Sequence, residues 1–509
     1  MEANHRYNYY SLSIAIVFVA CLLISRVIYA LFLSPYSHVP GPRICKVTRL
    51  WVDLHDIFLR RNQQIYKWHE KYGPVVLIAP GEVSVSSAAS TKIVYRAGTQ
   101  HPKSSFFDNF TMYGERTIFT ALGCVDHRAM RKSTFSFYQP TTVYSDSVMG
   151  PLRQRVHLFV DELNNSAHAE STVGADIFKL TNSYAFDNIT SLVYGPSHTS
   201  QSLESVKEKQ TILEDWAECE VWNNLLYTFP LAHKFMKFAI TRLQNPQFLH
   251  AEEKLFEWNM ERLDSTIQNI STATGLSLVG RLLKDKKGGE VPRKTFLAAE
   301  CLDNIHAAQT TVSLSLTYAI WLLAVHRSWQ REVRNELQNL PMEDDGMPCF
   351  DAIKNAPILE ACLRESLRTK PLSSGRAERI VPETHLYDDV MIPAGTIIST
   401  STIAIQHNPS VFQNPHFYDP GRWLRADEDE LRAMESHYIP FGYGARICLG
   451  KAFAVAEIKL LLACLLLNFD IHENEQSSTN ATSMSQLGTE NALPRGLRCD
   501  VLFRRLQKA

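Results

Sequence analysis

Near the C-terminus the chain reads Phe441-Gly442-Tyr443-Gly444-Ala445-Arg446-Ile447-Cys448-Leu449-Gly450, and an apolar run from Lys451 to Phe469 follows at once. The periodicity of that run predicts a helix over 450–469. Cys448 then stands just before a helix N-terminus, where the dipole and unpaired N–H groups favour the thiolate, the form of cysteine that binds metals. Glycines at 442, 444 and 450 permit tight turns and close backbone approach to something flat. Arg446, two residues earlier, can meet an anionic group. A thiolate in a glycine-rich bed with an arginine beside it suits an iron ligand. Three more groupings carry chemistry. Glu365 and Arg368 lie at i, i+3, and His127 and Arg131 at i, i+4, so each pair shares one face of a predicted helix. The run His306-Ala307-Ala308-Gln309-Thr310-Thr311 places polar groups inside a long apolar stretch, where burial without partners is expensive.

The other cysteines are unremarkable by composition. The chain has 10 among 509 residues, scattered and without a CxxC pair, which excludes zinc ribbons, thioredoxin-like redox motifs and a secreted disulfide scaffold. Reduced, mostly buried thiols in a cytosolic setting are expected. Lysine plus arginine (52) nearly cancels aspartate plus glutamate (53), so no global basic field draws the protein to nucleic acid. Hydrophobic residues at 45% and charged residues at 21% exclude disorder or a coiled coil for the whole chain.

Several elements must hold these groups. Residues 9–33 are apolar apart from Arg26 and a few serines, long enough to cross a bilayer as an uncleaved signal anchor, for which about 20 residues suffice. Arg43, Lys46, Arg49, Arg60 and Arg61 follow it against Arg6 alone before it, which places the body in the cytosol. Pro40-Gly41-Pro42 forms a stiff exit. The expected organisation is a lumenal tip over 1–8, the anchor over 9–33, a proline-rich linker over 34–50 and one catalytic body over 51–509. Helical periodicity appears near 51–70, 125–138, 150–164, 173–194, 204–226, 248–268, 293–338, 351–369 and 450–469. Strand signals are confined to 75–79, 82–86, 379–381, 390–392 and 396–400. The run 284–289 reads as a polar loop, and 473–486 as a surface loop. The apolar stretch 296–325 passes for a second membrane span by length, but Glu300, Asp303, Asn304, His306 and Gln309 make it the central helix of a soluble core instead.

Taken together the motifs resemble the cytochrome P-450 haem-thiolate monooxygenases. Their signature FxxGxRxCxG is matched by Phe441, Gly444, Arg446, Cys448 and Gly450. Glu365-Ser366-Leu367-Arg368 looks like the family's ExxR. Arg422, in Phe417-Tyr418-Asp419-Pro420-Gly421-Arg422-Trp423, matches the arginine of a later loop that joins the buried pair; many members have glutamate where this chain has Gly421. The order of motifs agrees, and the resemblance covers essentially the whole chain. It implies a mainly α fold with a minor β-sheet, preceded by a single N-terminal transmembrane helix. It implies haem b (iron protoporphyrin IX) with Cys448 as axial thiolate, a ligation best known from this family for favouring O–O cleavage. Arg446, Arg379, and His127 with Arg131 at the family's WxxxR positions would hold the propionates, arginine–carboxylate contacts being the strong kind. Phe441 would pack near the cysteine and limit access to it. Residues 306–311 align with AGx(D/E)T(T/S), which puts Thr310 on the threonine that assists proton delivery. Ala307 replaces the glycine. Gln309 replaces the acid and cannot relay a proton by ionising, so water and Thr310 are expected to carry the relay while Gln309 orients.

Substrate contacts are expected from 106–120, 304–308, 371–376 and 489–494, with Phe106, Phe107, Phe110 and Phe119 forming an apolar wall; the same aromatics also fit plain core packing. The sequence holds no GxGxxG fingerprint, so the resemblance implies electrons from a separate, membrane-bound NADPH–cytochrome P-450 reductase. Arg128, Lys132 and Lys451 would face it, or simply face water. The leading expectation is an O2- and NADPH-dependent monooxygenase of a lipophilic small molecule, single-pass in the endoplasmic reticulum membrane and facing the cytosol, in the style of fungal secondary metabolism. Two other classes compete: an O2-independent haem-thiolate isomerase or dehydratase, favoured by the altered oxygen motif, and a non-enzymatic receptor on the same fold.

Overall fold

The computed structural model describes residues 2–165, 172–204, 212–269, 276–284, 291–372 and 376–506. Most of the expected loop at 284–289, the first part of the expected helix 204–226 and the middle of the expected contact segment 371–376 lie outside them. The body is helical, with three small sheets among the described residues, as the family resemblance implies.

At its centre runs the helix Lys294–Val325. Its apolar window is 83% buried inside the body, whereas the apolar window within Ser13–Leu33 has no buried residue. The first is therefore a core helix, and the second is a candidate membrane span. The central helix packs most extensively on Ile177–Tyr194, itself buried on nearly every face. Hydroxyls stitch the seam: Thr181 Oγ1 lies 2.9 Å from both Ser313 Oγ and Thr317 Oγ1. Small side chains allow this close approach, and these three buried hydroxyls find partners in one another. Pro357–Thr369 and Lys451–Asn468 flank the central helix and complete the layer that carries the motifs.

Three predicted helices are broken in the structure, and one of them, 351–369, divides into Phe350–Ile353 and Pro357–Thr369, the second helix starting at a proline. The segment 51–70 divides into Leu50–Ile57 and Arg61–Tyr72, because the chain turns through Leu59 at a φ of 54°. The segment 293–338 divides at His326, which caps Lys294–Val325 and starts Arg327–Gln338. The helix Pro230–Leu243 and the strands Thr172–Asp176, Phe469–Glu473 and Asp500–Arg505 were not expected; the three strands form one antiparallel sheet. In the other main sheet Val75–Ala79, Glu82–Val85, Ile397–Thr400 and Arg379–Ile380 lie side by side in that order. That sheet brings Arg379 from the middle of the chain to the N-terminal strands.

The stretch 34–50 is not a free spacer. Val39 and Cys45 are fully buried, and Leu77 N–H donates to the Pro40 carbonyl at 2.7 Å. Gly41 is needed there: its φ is 149°, and a Cβ would stand 2.6 Å from the Leu77 oxygen.

Candidate haem-thiolate site

All ten cysteines are free. Six are buried packing residues, and burial pushes their thiols upward, as at Cys45, Cys301 and Cys499. Cys448 differs. It is the exposed cysteine of the body, Cys21 being in the anchor, yet protein surrounds it closely enough that burial still raises its pKa. The N–H groups of Gly450 and Lys451 and the charges of Arg131 and Lys451 pull the other way. The helix N-terminus expected from sequence is thus present, but desolvation outweighs it. A thiol that is open on one side and enclosed on the others borders an internal space.

The loop holding it is pinned by backbone. Cys448 N–H donates to the Phe441 carbonyl at 2.8 Å, and Phe441 packs against the main core. Lys451 Nζ sits 5.5 Å from the centre of the Phe441 ring. Gly444 has a φ of 72°, and a Cβ there would lie 1.8 Å from the Tyr95 carbonyl oxygen. Only glycine lets this turn close on the helix Ala88–Tyr95. Gly450 caps the helix that follows.

The four expected propionate holders converge. His127, Arg131, Arg379 and Arg446 all line one cavity of about 380 Å³. His127 is buried, and its pKa is pushed down to about 3 by desolvation and then by Arg446, Arg131, Lys103 and Arg379. Arg446 is lowered to about 10, by burial first and then by Arg379. Each arginine is positioned by carbonyls: Arg446 donates to Ala121, Leu122 and Gly123 at 2.7–3.1 Å, Arg131 to Ile447 at 2.9 Å, and Arg379 to Glu378 at 2.8 Å. Cations pressed together without a carboxylate between them are costly unless an anion joins them. That donor set fits a dianionic group such as haem with its two propionates.

Sequence reasoning missed Lys103. It is buried, and its pKa is held well below normal by desolvation, then by Arg379 and Arg446. Its Nζ lies 3.7 Å over the Phe107 ring and 4.1 Å over the Phe119 ring and donates to the Phe119 carbonyl. Phe106, Phe107, Phe110 and Phe119 do cluster, joined by Tyr227, with ring centres 5.2–6.4 Å apart.

On the central helix Ala307 is exposed although it sits mid-helix in the core, so this face also borders open space. Thr310 Oγ1 donates to Gln309 Oε1 at 3.0 Å, and Gln309 Nε2 donates to Asn182 Oδ1 at 2.5 Å. Asn182 in turn donates to the Phe178 carbonyl at 2.9 Å. Asn182 is a second residue the sequence did not single out. The i−4 carbonyl bond that would make Thr310 an ordinary helix threonine is made instead by its neighbour, Thr311 to Ala307, at 2.7 Å.

Behind the cysteine loop Glu365 and Arg368 are fully buried and paired twice, at 2.9 and 2.7 Å. Arg422 Nε joins Glu365 at 3.0 Å, as the resemblance implied, and Trp423 Nε1 joins it at 3.0 Å. The departure at Gly421 has a steric counterpart: a Cβ there would meet the Arg425 side chain at 2.0 Å. Arg128, Lys132 and Lys451 are exposed.

The cytochrome P-450 family model matches residues 40–494. Among curated relatives, the cytochrome P-450 monooxygenase FGM1 of Gibberella zeae is 38% identical over 92% of this chain and 93% of its own length. The N-acetyltryptophan 6-hydroxylase ivoC of Emericella nidulans is 27% identical over 89% and 90%. The fusicoccadiene 8-ol C-16 hydroxylase of Alternaria brassicicola is 24% identical over 88% and 89%. With the signature cysteine, the buried ion pair and the cationic cluster held on one core, this chain belongs to the cytochrome P-450 family and is a haem-thiolate monooxygenase.

Proposed function

We propose that the protein binds haem b with Cys448 as axial thiolate and oxidises a lipophilic small molecule, an intermediate of fungal secondary metabolism, at the endoplasmic reticulum membrane. The observation that carries this reading is the convergence of His127, Arg131, Arg379 and Arg446 on one cavity beside the Cys448 loop. Arg446, Arg379, Arg131 and His127 would hold the propionates, and Phe441, Gly444 and Gly450 would shape the bed of the sulfur. Bound there, haem supplies the oxidising chemistry that no amino-acid side chain has, with thiolate ligation favouring O–O cleavage. Electrons would come from an NADPH–cytochrome P-450 reductase meeting the exposed face of Arg128, Lys132 and Lys451. Ser13–Leu33 would anchor the chain, with the body in the cytosol. The test is the reduced carbon-monoxide difference spectrum of the full chain. A thiolate-type Soret shift is expected, and a haem-loaded protein without one would overturn the assignment.

Thr310 and Gln309 are the proposed catalytic pair. The hydrogen-bond chain from Thr310 through Gln309 to Asn182 contains only hydroxyl and amide groups, so it orients and does not titrate. Thr310 donates its proton to Gln309, which leaves its oxygen able to accept, and a water donating to it would complete the relay. Gln309→Glu is therefore expected to leave the coupling of NADPH consumption to product unchanged or improved. A tenfold loss of coupling would show that the amide itself is required. The same non-titrating chain keeps the O2-independent isomerase reading open, and product formed without NADPH and O2 would select it.

A further inference from the structure

The hydrogen-bond chain that ends at Thr310 has a direction, and one atom outside the central helix sets it. The Phe178 carbonyl can only accept, so the Asn182 group 2.9 Å from it is the Nδ2 amide. Asn182 Oδ1 then faces Gln309, whose Nε2 donates to it at 2.5 Å. That leaves Gln309 Oε1 toward Thr310, where only the hydroxyl proton completes the contact at 3.0 Å. Turning either amide over alone would set two oxygens face to face, a buried mismatch that costs more than a lost hydrogen bond. Asn182 also cannot drift away from its partner. Its neighbour Thr181 is clamped to Ser313 and Thr317 of the central helix at 2.9 Å each, which keeps the two helices in register beside Gln309.

A threonine hydroxyl has one proton to give. With that proton committed to Gln309, Thr310 can receive a hydrogen bond from another group but cannot donate one. Were Gln309 free to turn, its amide N–H groups could face Thr310 and the hydroxyl proton would be released to point elsewhere. We propose that Asn182 is a positioning residue: acting through Gln309, it holds Thr310 as a hydrogen-bond acceptor toward whatever binds at the iron. This rests on the haem-site reading above, and it gives the amide at position 309 a role that needs no titration.

The test uses the full-length, haem-loaded protein, reduced and bound to carbon monoxide, with the C–O stretch read by infrared spectroscopy. A hydroxyl proton donated to the bound gas draws electron density from iron onto it and lowers that stretch, whereas an accepting oxygen does not. The wild type should show a single band. Gln309→Leu, which removes the acceptor of the Thr310 proton, should add a second band at lower frequency. Asn182→Leu should add the same band, and the part-buried position of Asn182 leaves room for a side chain of similar size. Asn182→Asp should keep the single band, because a carboxyl oxygen still accepts from Gln309 Nε2. Adding Thr310→Val to Asn182→Leu should remove the low band and so assign it to the hydroxyl. An unshifted single band in Asn182→Leu, a low band in Asn182→Asp, or a low band that survives Thr310→Val would overturn the proposal. A wild type without the thiolate-type Soret shift under carbon monoxide would overturn the haem site itself.

Discussion

Cys448→Ser is expected to lose the thiolate-type Soret shift completely while the haem-free protein keeps its melting temperature within about 2–4 °C. The two halves of that outcome have separate causes. The Cys448 sulfur receives the N–H groups of Gly450 and Lys451, which a serine oxygen accepts as well. The loop is held by backbone and by neighbours: the Cys448 N–H on Phe441, Arg131 on Ile447, and Gly444 against Tyr95. Folding therefore does not depend on the thiol, and what changes is the bond to iron. A control sits close by. Cys124 lines the same cavity as the cationic cluster and also begins a helix, Cys124–Thr134. Its sulfur faces the carbonyls of Thr99 and His101 at 3.8 and 3.9 Å. The Cys448 sulfur instead accepts the N–H groups of Gly450 and Lys451 and stands beside the charges of Arg131 and Lys451. Cys124→Ser should leave the spectrum unchanged. If instead the shift survives in Cys448→Ser and disappears in Cys124→Ser, the ligand has been misassigned.

What could be read in advance divides along the range of the interactions. The cysteine loop and the ion pair are local patterns, a few residues long, so their spacing announced them. Arg131 and His127 were legible for the same reason, being one turn apart on one helix. Lys103 was not: its neighbourhood shows only a lysine before an aromatic run, and its importance comes from Arg379 and Arg446, hundreds of residues away in sequence. Asn182 likewise acquires meaning only when Ile177–Tyr194 packs on the central helix. The sheet of Thr172–Asp176, Asp500–Arg505 and Phe469–Glu473 depends on pairing its first two strands across more than 300 residues, which no periodicity records. The breaks at Leu59 and His326 carry neither proline nor glycine, the usual punctuation, so both helices looked continuous.

Glu365→Ala and Arg368→Ala are each expected to remove most of the folded protein, and the pair replaced by Met and Leu should be less damaged than either single change. Both side chains are fully buried. Removing Glu365 leaves the Arg368 charge without compensation in the interior, and removing Arg368 leaves Glu365 with Arg422 alone, a loss of about 3–5 kcal/mol, against a total stability of about 5–15 kcal/mol for an ordinary domain. Here the loss spreads further than the pair. Glu365 also accepts from Arg422, from Trp423 Nε1 and from the Asp419 N–H, at 3.0, 3.0 and 3.1 Å. Arg368 also donates to the carbonyls of Gln406 and Pro415 at 3.0 and 2.7 Å. Gln406 in turn accepts from the Ile439 N–H at 3.0 Å, two residues before Phe441 and the start of the cysteine loop. The ion pair thus fixes where that loop begins, and its loss should be read in haem retention as well as in melting temperature. An apolar pair of similar volume removes both charges at once and leaves unpaired only the outer partners, Arg422 and the neighbouring N–H groups on one side and the Gln406 and Pro415 carbonyls on the other, which is why the double replacement should recover part of the fold. The measurement is the yield of soluble protein, its melting temperature and its haem content for the two single variants and the double. A single variant melting within about 2 °C of the wild type, or a double variant worse than both singles, would show that the pair does not act as the buried, mutually compensating unit its geometry describes.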